Sequence, residues 1–175
     1  MFVKDFADEY ARYRAIGDKA LAQVSDEGLN RILAPNGNSI AMIVRHMSGN
    51  MLSRFTDFLT TDGEKPWRDR DGEFAEGTYT RAEIDDAWQK GWAAVETALD
   101  DVGEDDLQSS VKIRGQELSV HEALCRCGDQ REKLRRVEYM TPPDVADRAG
   151  SHKIDPAVPC GQQRDVALQP RQCFT

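Results

Sequence analysis

The sequence predicts an all-α protein, an antiparallel four-helix bundle over residues 1–140 followed by an irregular tail. Three observations predict it. Apolar residues recur at three- and four-residue steps in four segments, Ser/Thr-x-x-Glu capping boxes open the third and fourth of these, and a chain of 175 residues with 39% apolar content can bury one real core.

The first helix is expected from about Phe2 to Val24, where Phe6, Tyr10, Tyr13, Leu21 and Val24 form one stripe. Ser25 and Gly28 break it. A short helical turn holding Leu29, Ile32 and Leu33 precedes the loop Ala34-Pro35-Asn36-Gly37. The second helix runs from about Ser39 to Leu59, with Asn38 or Ser39 as its N-cap. Its apolar stripe is Ile40, Ile43, Val44, Met47, Met51, Phe55 and Phe58. Residues 60–79 read as a long loop rich in glycine and charge, with Trp67, Phe74 and Tyr79 available to pin it to the helices.

The third helix covers about Thr80 to Asp101. Thr80 and Glu83 cap it reciprocally, Ile84, Trp88, Val95, Ala98 and Leu99 face inward, and Gly103 ends it. The stretch from Val111 to Leu118 alternates around a glycine and reads as a small hairpin. Ser119 and Glu122 form a second capping box for the fourth helix, which Thr141-Pro142-Pro143 stops. The apolar periodicity fades beyond Val137, and the strongly acidic balance of residues 1–125 turns slightly basic over residues 126–175. Residues 141–175 are therefore expected to be poorly structured.

Composition limits the partners. The formal net charge of −8 repels nucleic-acid phosphates and anionic lipid, so neither nucleic acid nor membrane is an expected partner. No run approaches the roughly 20 apolar residues a membrane span needs, and Met1 to Phe6 turns charged at once, unlike a secretory leader. Cysteines at 125, 127, 160 and 173 lie in the last third and cannot staple the bundle, so a reducing cytoplasm is the expected location. Cys125-x-Cys127 lacks the spacing of a zinc or thioredoxin-like pair. Asp69-x-Asp71-Gly72 resembles the start of a calcium loop but lacks the remaining ligands, and reads as a solvated loop.

His46 is the candidate site residue. On the second helix His46, Asn50, Ser53 and Asp57 form a polar line bordering the apolar stripe, where side chains from facing helices can meet. A histidine so placed either caps the core edge with a hydrogen bond or donates to a site lined by Asn50, Ser53 and Asp57. His121, in the first turn of the fourth helix, reads as a surface residue, and His152 lies beyond the Pro-Pro break.

Ser39-Ile-x-x-x-x-x-His46-Met-Ser-Gly-Asn50, then Thr60-Thr-Asp-Gly-Glu-Lys-Pro66, and Val111-Lys-Ile-Arg-Gly-Gln-Glu-Leu-Ser-Val-His-Glu-Ala-Leu-Cys-Arg126 together resemble an uncharacterised branch of the DinB superfamily. The likeness covers about residues 2–126. It implies a four-helix bundle, commonly a homodimer, that binds a divalent metal (zinc, nickel or iron) through one histidine on helix two and two more, four residues apart, on helix four. Some members are thiol-dependent transferases or isomerases using low-molecular-weight thiols. His46 matches the helix-two ligand. The helix-four pair should fall near 130 and 134, where this chain has Gln130 and Leu134. The resemblance therefore implies metal-dependent enzyme ancestry with an incomplete, inactive site, possible ligands being a thiol or another small molecule. The alternative is a non-catalytic helical-bundle protein that binds a partner or dimerises. The likeness breaks off after Arg126, and the composition of the tail fits either out-of-frame reading of GC-rich coding sequence or a truncated relative.

Overall fold

The computed structural model describes residues 2–127 apart from 34 and 36. Among these the chain is mostly helical, with one small antiparallel hairpin. In order come α1 (Phe2–Ala22), α2 (Asp26–Leu29), α3 (Ile40–Phe55), α4 (Arg70–Glu73), α5 (Arg81–Asp101), a 3-10 turn (Glu104–Gln108), β1 (Ser110–Ile113), β2 (Gln116–Ser119) and α6 (Val120–Cys127). The expected continuation of the fourth helix to residue 140, and the tail from 141, lie outside the described residues.

The predicted caps form. Ser39 Oγ accepts from the Met42 amide at 3.2 Å, Thr80 and Glu83 cap α5 reciprocally, and Ser119 and Glu122 do the same for α6. Each satisfies amide donors that a helix start leaves without an internal partner. The predicted inward faces are buried as well. Ile84, Trp88, Val95, Ala98 and Leu99 all enter the core.

The most extensive helix contact is α3 against α5. Gly91 permits it. A Cβ there would lie 2.8 Å from Met51 Cε and 3.0 Å from Ser48 Cα, so any side chain would force the two helices apart. α1 closes over α5 through Tyr10, Tyr13, Ala20 and Leu21. The Tyr10 hydroxyl donates to the Leu124 carbonyl at 3.0 Å, tying α1 to α6. The Trp92 ring sits edge-on to both Tyr10 and Trp88.

Three expectations need correction. The short turn before the first loop is α2, capped by Ser25, and it buries Leu29 alone; Ile32 and Leu33 lie beyond it, exposed. α3 ends at Phe55 rather than Leu59, because Thr56 is extended and Asp57 takes a positive φ of 47°. Asp57 tolerates that conformation better than most residues, and its carbonyl accepts from the Thr60 and Thr61 amides, closing a turn where a fifth helical turn was expected. Trp67 does not pin the long loop, being 56% exposed.

Tyr79 packs against the core and Phe74 against His46, and polar contacts hold the rest of that loop. Ser53 Oγ donates to the Gly63 carbonyl at 2.8 Å and accepts from the Lys65 amide. The buried Lys65 ammonium donates to Thr61 Oγ1 and the Asp62 carbonyl. Asp62 then reaches the hairpin. Its carboxylate accepts from the Glu64, Arg114 and Gly115 amides at 2.7–2.8 Å, and the Gly63 amide donates to the Lys112 carbonyl. Arg114 and Gly115, at φ 56° and 72°, form the left-handed pair that twists a tight hairpin correctly.

Those amides hold the Asp62 carboxyl below its usual range. A group depressed in this way contributes stability above the unfolded pKa, and that stability is lost as pH falls through the folded value. Asp62→Ala is expected to destabilise by about 1–2 kcal/mol, a value reduced for solvent exposure. Thermal melting at pH 7 should fall by roughly 4 °C, and the difference should vanish in acid. An unchanged midpoint at pH 7 would show that the hairpin does not depend on this carboxylate.

Candidate functional site

His46 lies on α3 and is buried, and its position follows from the stripe next to it. Met47, Met51 and Val44 turn into the core, which leaves His46 at the border facing the 60–79 segment. That segment carries α4, a single turn whose N-cap Asp69 accepts from the Gly72 amide at 2.9 Å. The Asp69-x-x-Gly72 pattern thus starts a helical turn. It places the next residue, Glu73, against α3.

Glu73 Oε2 is 2.8 Å from His46 Nδ1. Arg68 grips the same carboxylate from the other side, Nε donating to Oε1 at 2.9 Å and Nη2 to Oε2 at 3.1 Å. Both Glu73 and the Arg68 side chain are almost fully buried. Phe74 stacks obliquely on the imidazole, with ring centroids 4.6 Å apart. Arg45, beside His46 on α3, donates to the Glu73 carbonyl and lies over the Tyr79 ring at 4.2 Å. Gly49, one turn after His46, gives the carboxylate its seat. A Cβ there would overlap Glu73 Oε1 and press on Cδ.

The electrostatics are those of a compensated buried charge. Burial works against ionisation of Glu73, but hydrogen bonds from His46 and Arg68, together with the Arg68 charge, hold its carboxyl below the usual range. A carboxylate has no proton to donate, so the bond to His46 requires hydrogen on Nδ1. In the neutral ring Nε2 is then the lone-pair nitrogen. This is the arrangement by which metal-binding histidines are usually oriented, one nitrogen on a carboxylate and the other toward the cation.

The rest of the expected polar line separates. Asn50 is buried on α3, one turn beyond His46. Ser53, fully buried, is engaged with Gly63 and Lys65 and holds the loop. Asp57 falls past the helix end and is exposed at an open groove of about 620 Å³ formed with Phe55, Lys90 and Thr97. His121 is exposed, as expected, with its ring edge against Phe6 and its Nδ1 3.9 Å from Cys125 Sγ. His152, Gln130 and Leu134 lie outside the described residues.

Sequence reasoning missed Glu73 and Arg68, which follow His46 by 27 and 22 positions in a segment without periodicity. Two signals were available: a helical glycine three residues after His46, and the Asp69-x-x-Gly72 cap immediately before Glu73. As a metal site the cluster supplies one oriented imidazole. Among the described residues no three His, Cys, Asp or Glu side chains converge on a point that could hold an ion. The donor set present does not fit the three-imidazole centre that the resemblance implies. No described helix is long and apolar enough to cross a membrane.

A family model described as "Protein of unknown function (DUF1572)" matches residues 1–130. No curated protein matches the chain.

Proposed function

Because the chain belongs to the family described as protein of unknown function DUF1572, whose match spans all of its described residues, we propose that it is a DinB-like four-helix-bundle protein of metal-dependent enzyme ancestry. In this reading His46 is the surviving ligand of an incomplete site. The observation that carries it is the Glu73–His46 bond, which turns a buried imidazole into an oriented donor. The same carboxylate is held by a buried arginine, so the imidazole is fixed as well as satisfied.

A divalent cation in such a centre lowers the pKa of a bound water or thiol and so supplies a nucleophile. This chain carries Gln130 and Leu134 where the resemblance places the second and third imidazoles. A catalytic zinc-type site normally uses three protein ligands. The chain as written is therefore read as a weak cation or small-molecule binder without group-transferase turnover. The second reading, a non-catalytic dimerising bundle, draws on the open groove beside α3 and α5.

Calorimetric titration with Zn²⁺ or Ni²⁺ separates the two. Wild type should bind weakly, and His46→Ala should abolish that binding. Gln130→His/Leu134→His should strengthen it by at least tenfold, about 1.4 kcal/mol. Tight stoichiometric binding that survives His46→Ala would sink the reading.

A further inference from the structure

We propose that residues 68–74 form a lid over His46, hinged on the exposed stretches on either side and carrying its own ion pair, Arg68–Glu73, as it opens. The inference deepens the reading of His46 as a site residue. It rests on that reading only for the use of the opening, the admission of a small molecule to the imidazole.

At 9% exposed, His46 is out of reach of anything larger than water while its neighbours stay in place. Its own helix cannot yield, because Val44, Met47 and Met51 lock α3 into the core. The segment beside it can. Glu73 takes one edge of the ring and Phe74 one face. Both lie between two fixed points. On one side Lys65 is fastened to Ser53, and Asp62 to the hairpin. On the other, the Tyr79 amide donates to Asn30 Oδ1 and Asn30 Nδ2 donates back to the Tyr79 carbonyl, both at 2.9 Å. Between these points and the lid lie residues 66–67 and 75–78, all exposed, with Gly77 among them. A few loop positions of this kind absorb the backbone change when a loop opens. Two bonds cross them, from the Arg68 amide to the Lys65 carbonyl and from the Tyr79 hydroxyl to the Ala75 carbonyl, and opening breaks both.

The lid is held together from within. Asp69 caps its single helical turn, and the Glu73 and Phe74 amides donate to the Asp69 and Asp71 carbonyls. Arg68 and Glu73 are five residues apart and pair with each other, the guanidinium meeting both carboxylate oxygens. Opening therefore strands no charge without its partner, and the hydration that the pair regains offsets part of the lost bond to His46. Gly49 leaves the carboxylate resting on bare helix, with no side chain to interlock with it. Arg45 is the latch on α3, donating to both the Glu73 carbonyl and the Tyr79 hydroxyl.

Carbethoxylation by diethyl pyrocarbonate reads the opening in the full chain, each histidine being followed by peptide mass spectrometry. Exposed His121 is the reference. At neutral pH His46 should react at least about tenfold more slowly than His121. Its rate should stay flat in urea below the unfolding transition, as a local opening requires. Arg45→Met removes the latch and should raise the His46 rate about tenfold, equivalent to about 1.4 kcal/mol, with helical circular dichroism retained. Asp62→Ala loosens a fixed point outside the lid and should leave the rate unchanged. A wild-type His46 that reacts as fast as His121 overturns the lid. So does a rate that climbs in urea with the global unfolding constant, which decides the question even where Arg45→Met fails to fold. A rate unmoved by Arg45→Met, or raised equally by Asp62→Ala, also overturns it, the second because the whole 60–79 segment then frays. A lid that opens as described, with a His46 rate untouched by millimolar Zn²⁺ or Ni²⁺, keeps the device and refutes the reading of His46 as a ligand.

Discussion

Trp92→Ala is expected to lower the melting temperature by roughly 8–16 °C, the largest effect of any substitution considered. The indole, on α5, is 1% exposed and packs edge-on to Tyr10 of α1 and to Trp88. Truncation removes most of its buried apolar surface and leaves a cavity that rigid neighbours cannot fill. Large-to-small changes of this kind destabilise by about 3–5 kcal/mol. For a chain of this size each kcal/mol moves the midpoint by about 2–4 °C. One compensation is present: indole Nε1 has no hydrogen-bond partner among the described residues, so removal relieves a buried donor. That places the result near 4 kcal/mol rather than at the top of the range. Trp67→Ala is the control. Its ring is mostly exposed, and the midpoint should move by no more than about 2 °C. Equal losses for the two tryptophans would show that the core is not where the burial pattern places it.

Arg68→Met should destabilise by about 3 kcal/mol at neutral pH. Removing one partner of a buried ion pair leaves the other without compensation, an effect of about 3–5 kcal/mol. Here Glu73 retains His46, which argues for the lower end. The sign of the pH dependence follows from linkage. Glu73 is depressed in the native chain, so the stability it contributes is complete above the unfolded carboxyl's pKa and is lost as pH falls through the folded value. In the variant burial remains while the strongest cation is gone, so the folded value rises and its acid transition moves to higher pH. The gap between the two proteins should narrow on acidification as both carboxylates take up a proton. Denaturant unfolding at a series of pH values checks this, and a gap constant from neutral pH into acid would contradict it.

The helices were legible in the sequence because their signals are local. A stripe such as Ile40, Val44, Met47, Met51 repeats every turn, and Thr80–Glu83 encodes a helix start within four residues. The position of His46 was legible for the same reason. What lay beyond the sequence was its partner. The Glu73–His46 bond joins residues that no periodicity relates, and it depends on Gly49 leaving room and on Asp69 turning the loop. The end of α3 was misread because Phe58 is apolar at the right spacing. Phe58 is buried (6% exposed) yet reaches the core from outside the helix, past a left-handed Asp57. Period alone cannot separate a fifth turn from a fold-back that delivers the same side chain to the same place. Ser53, expected to line a site, proved instead to fasten the loop together with Lys65.

The bonds from Asp62 and Gly63 to the hairpin join parts of the chain about fifty residues apart. Closing a flexible loop of that length costs about 3.5 kcal/mol of chain entropy, whereas a loop of about twenty residues costs roughly 2.7 kcal/mol. Once α3 is packed on α5, only the stretches after Phe55 and after Asp101 remain to be closed, so helix packing lowers the entropic barrier to hairpin attachment by about 0.8 kcal/mol. A two-stranded hairpin has at best marginal stability of its own in water. The strands of this protein are thermodynamic dependants of its helix pair, and the start of α6, whose Val120 amide donates to the Ser109 carbonyl, inherits its register from the same source.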